Sequence, residues 1–212
     1  MDLLTQLLAL PAGDAIFDLD GTLIRGDIGD SVFRRLMGRL PPSVRAVLGH
    51  ENPWGRYEEI VRADFCAAGD LAGKGLAGST ISEVEAMVAD AFATGDVVEN
   101  TPVVELARAL SARHRVWILT GSAEVLGRAV GRRLGIDRVV GLRLRMDGDH
   151  FTDELLPPCT CGEGKVKAAK LWISEQPVFA IGDSPTDLPV MRTARVARGL
   201  GRIAGQEFPA FS

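Results

Sequence analysis

The chain has 212 residues, with 24 Lys and Arg against 28 Asp and Glu and a formal net charge of −4. That length holds one good-sized domain or a domain with a small insert, and the acidic balance argues against a nucleic-acid or anionic-membrane partner. Hydrophobic residues make up 46%, as in ordinary packed chains, and no apolar run approaches the roughly 20 residues of a membrane helix. Asp2 stands where a signal peptide would carry basic residues. The three cysteines, Cys66, Cys159 and Cys161, are too few and too odd in number for a disulfide framework. The expectation is free thiols and a reducing, cytoplasmic setting.

In chain order, residues 3–10 read as a short amphipathic helix closed by Pro11 and Gly13. Ala15, Ile16 and Phe17 form the apolar run of a short buried strand, which the chain leaves through Asp18-Leu19-Asp20-Gly21-Thr22-Leu23. Asp30 can cap a helix through Val32, Phe33, Leu36, Met37 and Leu40, with Pro41-Pro42 as its stop. A helix is predicted over 54–67, a Gly- and Ala-rich loop or weak helix over 69–78, and a further helix from Ser79 or Thr80 to about Gly95. Residues 27–99 thus form a predicted all-helical block.

Beyond it, helices and strands alternate. Thr101-Pro102 opens a helix. Val116-Trp117-Ile118-Leu119 is a strand, and Thr120-Gly121-Ser122 turns into a helix ended by Gly135. Asp147-Gly148 joins two strands in a hairpin, 163–174 is helical, and Val178-Phe179-Ala180-Ile181 is a strand left through Gly182-Asp183-Ser184. Residues 187–191 fit a short helix and 194–197 a last weak strand; the tail, 205–212, is not placed. The alternation predicts an α/β fold, a parallel sheet with helices on both faces. Such sheets bind ligands at the carboxyl ends of their strands, where Asp18, Asp20, Thr120 and Asp183 can meet.

Each of these residues has a chemical use and a plainer reading. Two carboxylates two residues apart need a cation or a shared proton, and a carboxylate can also be a nucleophile; Asp and Gly are also ordinary turn residues. Thr120, with the amides of Gly121 and Ser122, can seat an anion; Ser122 also fits a helix N-cap. Lys165 lies between flanking Gly162, Gly164 and a helix, with Lys167 and Lys170 as competitors, and lysines on helices are usually solvated. Gly182-Asp183-Ser184-Pro185-Thr186-Asp187 offers two more oxygen ligands. Cys159-Thr160-Cys161 is half a zinc motif without a second half. His50, His114 and His150 suggest no triad, Trp54, Trp117 and Trp172 read as packing, and no nucleotide-binding Gly-x-x-x-x-Gly-Lys-Ser/Thr occurs.

The string from Asp18 to Leu23, then Thr120, Lys165 and the segment from Gly182 to Asp187, resembles in order the four motifs of the haloacid dehalogenase-like (HAD) hydrolases, over about residues 15–197. The resemblance implies a Rossmann-like core formed by residues 1–26 and 100–212. It also implies an inserted helical cap over 27–99, similar to that of phosphoserine-phosphatase-like members. It implies a Mg²⁺-dependent phosphatase acting on a small phosphorylated metabolite, with Asp18 as nucleophile and Asp20 as general acid and base. Thr120 and Lys165 would hold the phosphoryl group, Thr22, Gly121 and Ser122 would add contacts, and Asp18, Asp20, Asp183 and Asp187 would hold the metal, Asp20 through its carbonyl. Thr186 and Pro185 depart from the family's usual residues. Asp27, nine positions after Asp18, matches an acid that faces the substrate amine in phosphoserine phosphatases, and it equally fits the start of the first cap helix. Arg34, Arg35, Arg56 and Arg62 are candidates for an acidic substrate group. A phosphotransferase and a non-catalytic Mg²⁺- and phosphate-binding protein are the alternative readings.

Overall fold

The computed structural model describes residues 2–211; Met1 and Ser212, the outer ends of the expected core, lie outside the described residues. Helix α1 (Leu3–Leu8) leads into β1 (Asp14–Phe17), and a two-residue strand β2 (Ile24–Arg25) follows. Five helices come next: α2 (Ile28–Leu36), α3 (Pro42–Leu48), α4 (Pro53–Ala63), α5 (Phe65–Lys74) and α6 (Ile81–Ala93). Strand β3 (Val98–Glu99) pairs antiparallel with β2, so this ribbon forms the base of the helical insert. The chain continues as α7 (Thr101–Leu110), β4 (Arg115–Ala123), α8 (Glu124–Leu134), β5 (Val139–Asp147) and β6 (His150–Leu156). It ends with α9 (Glu163–Trp172), β7 (Phe179–Gly182), α10 (Leu188–Met191) and β8 (Val196–Gly199).

The main sheet runs β6-β5-β4-β1-β7-β8. It is parallel except for the β5–β6 hairpin. Strand β1 is central because every residue in it is buried, and both faces need cover. Ala15 and Phe17 face the larger cluster, with Leu7, Val104, Leu126 and Val130 of α1, α7 and α8. Ile16 faces the other, with Ala168, Ala169, Val190 and Met191 of α9 and α10. Side chains two apart share a face of a strand, so three residues anchor both layers. Asp14 is buried at the start of β1, where its carboxylate accepts hydrogen bonds from Arg115 and the Trp117 indole at 2.7–2.8 Å.

The expected α/β architecture is present and five helices occupy residues 28–93, with local corrections. The block expected to be all-helical over 27–99 ends in strand β3, and Asp27 instead of Asp30 is the N-cap of α2. Pro42 stands at the first position of α3, where its missing N–H costs nothing, so the proline pair begins a helix as well as ending one. The single helix expected over 54–67 breaks at Asp64, whose extended backbone and side chain cap α5 by accepting the Ala67 N–H at 3.0 Å. The Gly-rich stretch expected as loop or weak helix therefore supplies the second half of α5. Finally, β4 runs on through Thr120 to Ala123 with a register irregularity after Leu119. Ala123 is the N-cap residue of α8, which overturns the reading of Ser122 as that cap.

Candidate active site

Strands β1, β4 and β7 are neighbours, so Asp18, Thr120 and Asp183 come together at their carboxyl ends. Gly21 makes this approach possible. Its φ is +72°, and a Cβ there would run into the Asp183 carboxylate; glycine alone meets both conditions without strain. The turn then folds back, with the Asn100 side-chain amide donating to the Thr22 carbonyl at 2.8 Å.

Lys165 links the rim. It is 2% exposed, and its Nζ donates to Asp18 Oδ1 at 2.7 Å and to Asp187 Oδ1. Burial works against the ammonium charge, but Asp18 and Asp187 outweigh it and hold the lysine above its ordinary value. Gly164 lets the chain reach this place, because a Cβ there would strike the Cys159 carbonyl. Lys167 and Lys170 are exposed. Asp187 Oδ2 accepts the N–H groups of Asp183 and Ser184 and the Ser184 hydroxyl at 3.0–3.1 Å. Both Asp187 oxygens are thus engaged by protein donors.

Carboxylate oxygens of Asp18, Asp183 and Asp187 lie within 4.8 Å of one another. Burial first, then the Asp187 charge, pushes Asp18 up to about 7 and Asp183 up to about 6. Acids crowded this way are relieved by protons or by a cation. An all-oxygen set at this spacing fits a hard ion such as Mg²⁺. The Asp20 carboxylate is not a member of the trio. Its Oδ1 accepts the Ile28 N–H and its Oδ2 the Ser122 hydroxyl, both at 2.7 Å. Burial, then Asp27 and Asp18, raises its pKa well above the carboxylate range, as a proton donor requires.

A cavity of about 300 Å³ opens over this rim. Asp18, Asp20, Thr120, Gly121, Ser122, Lys165 and Asp183 line it on the core side. Tyr57 and one face of α5, including Phe65, Cys66, Gly69, Asp70 and Gly73, line it on the insert side. Thr120 is fully buried and its Oγ accepts the Ser122 N–H at 3.0 Å. Thr22 is fully buried outside the cavity lining, and its hydroxyl has no hydrogen-bond partner among the described residues.

Asp27 combines both of its expected positions. It is the N-cap of α2, accepting the Asp30 N–H at 2.8 Å, and it lines the cavity. Burial, then Asp30, pushes it up to about 7. Asp30 accepts the Tyr57 hydroxyl at 2.6 Å, a contact no local pattern announced. The four candidate arginines of the insert, Arg34, Arg35, Arg56 and Arg62, stay outside this cavity. Arg35 pairs with Asp90 and Asp96, Arg56 with Glu59, and Arg62 with Glu58. Arg34 stacks on Trp54 at 4.3 Å.

The expectation of free thiols is overturned for two cysteines. Cys66 of α5 and Cys161 of the loop before α9 form a disulfide, and Cys159 alone remains free. The partners are 95 residues apart, and only the fold of the insert onto the core brings them together.

Fold and site together define an α/β protein with an aspartate-rich site at the switch point of its sheet. The family model described as haloacid dehalogenase-like hydrolase matches residues 15–192, and the chain belongs to that family of hydrolases. Phosphoserine phosphatase SerB1 of Mycobacterium tuberculosis is 26% identical over 219 residues, covering 93% of this chain and 70% of the relative. Among solved structures, a Bordetella pertussis protein of unknown function matches with a TM-score of 0.76 at 15% identity, covering 96% of this chain and 99% of that one. A substrate-bound phosphoserine phosphatase matches with a TM-score of 0.64 at 16% identity, covering 95% and 92%. At these identities the structures speak for the fold. No helix among the described residues is long and apolar enough to cross a membrane.

Proposed function

We propose that the protein is a Mg²⁺-dependent phosphatase of small phosphomonoesters, with residues 1–26 and 100–212 as catalytic core and 27–99 as cap. The observation that carries this reading is Lys165 held between Asp18 and Asp187, beside an Asp20 whose buried carboxyl favours its protonated form. An Asp18 oxygen attacks phosphorus while the bond to the leaving alcohol oxygen breaks, and Asp20 gives that oxygen its proton. Asp20 then takes a proton from water, the water oxygen attacks phosphorus, and the bond to Asp18 breaks to release phosphate. Lys165, the Thr120 hydroxyl and the Gly121 amide offset the phosphoryl charge. The Ser122 hydroxyl holds the Asp20 carboxyl in line.

Asp18, Asp183 and the Asp20 carbonyl would hold the metal. Asp187, with both oxygens engaged, would orient Lys165 and the loop carrying Asp183. When bound, Mg²⁺ supplies positive charge against the phosphoryl oxygens.

The cavity also argues for the leaving group. Its charged lining is Asp18, Asp20, Asp27, Asp30, Asp70 and Asp183 against Lys165 and Arg202. Arg34 and Lys74 act on Asp30 and Asp70 from outside the lining, and no insert cation among the described residues lines the cavity itself, which favours an amine-bearing alcohol over one bearing a second carboxylate or phosphate. A phosphorylated amino alcohol in a cytoplasmic setting fits. The test is phosphate release from a panel of small phosphomonoesters with Mg²⁺, for wild type and Asp18→Asn. Release by wild type alone, abolished by chelator and greatest for amine-bearing esters, is expected. Equal release by both proteins, or release indifferent to chelator, contradicts the reading.

A further inference from the structure

The disulfide joins the two walls of the cavity. Cys66 lies in the first turn of α5, on the face that lines the cavity, and Cys161 lies across it on the core. The Cys161 carbonyl accepts the Gly164 N–H at 2.9 Å, in the turn that delivers Lys165. The other end of the α5 segment is fixed differently. Gly78 N–H donates to the Phe151 carbonyl at 2.8 Å and Phe151 N–H to the Ser79 carbonyl at 2.9 Å. Near Cys66 the noncovalent contacts to the core are few and weak: Phe65 is 38% exposed and meets Arg202 at 5.9 Å, the Cys159 thiol donates to Asp70 at 3.9 Å, and Gly69 packs on the Gly121 carbonyl. Gly69, Gly73 and Gly75 lie between the two ends, and glycine weakens a helix.

We propose that the Cys66–Cys161 bond is a redox gate on the cavity: while formed it holds the first turns of α5 against the core, and its reduction frees them for substrate entry and product release. Both cysteines are half-buried cavity-lining residues, within reach of a small dithiol. One thiolate of the dithiol attacks a cysteine sulfur, the Cys66–Cys161 bond breaks, and the other cysteine leaves as a thiolate. The second thiol of the reductant then displaces the mixed disulfide. The reductant leaves as a disulfide, having given two electrons, and the two cysteines end protonated. Cys159 is free; the residue is exposed, but its thiol is partly desolvated where it donates to Asp70 at 3.9 Å. Partial burial raises that thiol above its ordinary pKa, which limits its attack on the bond two residues away. A single bond of this kind in a 212-residue chain with its own core is the pattern of a redox-sensing pair in a reducing compartment.

The activity readout rests on the phosphatase reading; the second readout does not. Wild type, Cys66→Ser, Cys161→Ser and Cys159→Ser are each treated with dithiothreitol or with diamide. Denatured thiols are counted, phosphate release is followed with Mg²⁺, and hydrogen exchange is measured over residues 65–70. Oxidised wild type is expected to titrate as one thiol and reduced as three. Oxidation should lower kcat about tenfold, since lid motion limits many turnovers, and should slow exchange over 65–70. Cys66→Ser and Cys161→Ser should stay at the reduced rate, and Cys159→Ser should switch as wild type does. Three thiols after oxidation, or equal kcat and kcat/KM in both states, overturn the gate, even if the bond raises Tm. If neither state releases phosphate, the phosphatase reading fails and exchange decides: redox-dependent protection of 65–70 supports the gate, and identical exchange overturns it.

Discussion

The core wall of the cavity carries a buried lysine between two carboxylates, each group fixed at a strand end or helix start. The insert wall carries Asp30, Asp70 and Tyr57, while Arg35, Arg56 and Arg62 of the insert are spent on surface acids and Arg34 on Trp54. The first wall is built to handle a phosphoryl group, whatever it is attached to. On the proposed reading the second handles what the phosphoryl group leaves behind and controls how that group enters. Chemistry and choice thus sit on opposite sides of one cavity.

Substitutions on the core wall should have the largest effects. Asp18→Asn is expected to abolish turnover to the limit of a phosphate-release assay, because the amide is no nucleophile. Asp20→Asn should lower kcat about 10²- to 10⁴-fold, the range for removing a general acid. That loss should shrink for esters whose leaving group needs no proton, such as 4-nitrophenyl phosphate, and an equal loss for all esters would remove Asp20 from that role.

Metal and protons should move stability next. The Asp27 carboxyl is raised from 3.8 to about 7 by burial and Asp30. The folded form therefore holds its proton more tightly than the unfolded chain does. Its contribution to stability is present at low pH and is lost as pH rises from about 4 to about 7. Metal-free protein should melt lower at about pH 8 than at about pH 6, and Asp27→Asn should reduce that dependence, with the raised Asp18, Asp20 and Asp183 carrying the rest. Saturating Mg²⁺ at the higher pH should add about 3 kcal/mol at a hundred times Kd, several degrees in Tm. A Tm unmoved by Mg²⁺ would argue against a metal held by Asp18, Asp183 and the Asp20 carbonyl.

The smallest effects belong to the insert wall. Asp27→Asn should reduce the preference for amine-bearing over amine-free esters by about tenfold while both remain substrates. Arg56→Ala and Arg62→Ala should leave kcat/KM within about twofold, since exposed ion pairs contribute little. A large loss in either would place a cation in the site that the structure keeps outside it.

The core wall was legible because local rules act there. The Asp18 to Leu23 string follows an apolar strand, Gly21 is required by its φ and by Asp183, and Gly164 marks the close approach that favours Lys165 over Lys167. The insert wall was less legible because its contacts are long-range. Cys66 faces Cys161 only because Asp64 breaks the α4–α5 run and turns α5 across the cavity. Tyr57 meets Asp30 from 27 residues away, and Ser122 meets Asp20 from 102. A serine before a helix looks the same in sequence whether it caps that helix or serves a carboxylate, and here the continued strand β4 decided for the carboxylate.

The covalent role of Asp18 is tested most directly by trapping. The protein is mixed with a turned-over phosphomonoester and Mg²⁺, quenched during turnover and reduced with borohydride, which converts an aspartyl-phosphate to homoserine. Peptide mass spectrometry should find homoserine at position 18, and none without substrate. Turnover that leaves residue 18 as aspartate, or places homoserine at another carboxylate, would contradict Asp18 as the nucleophile.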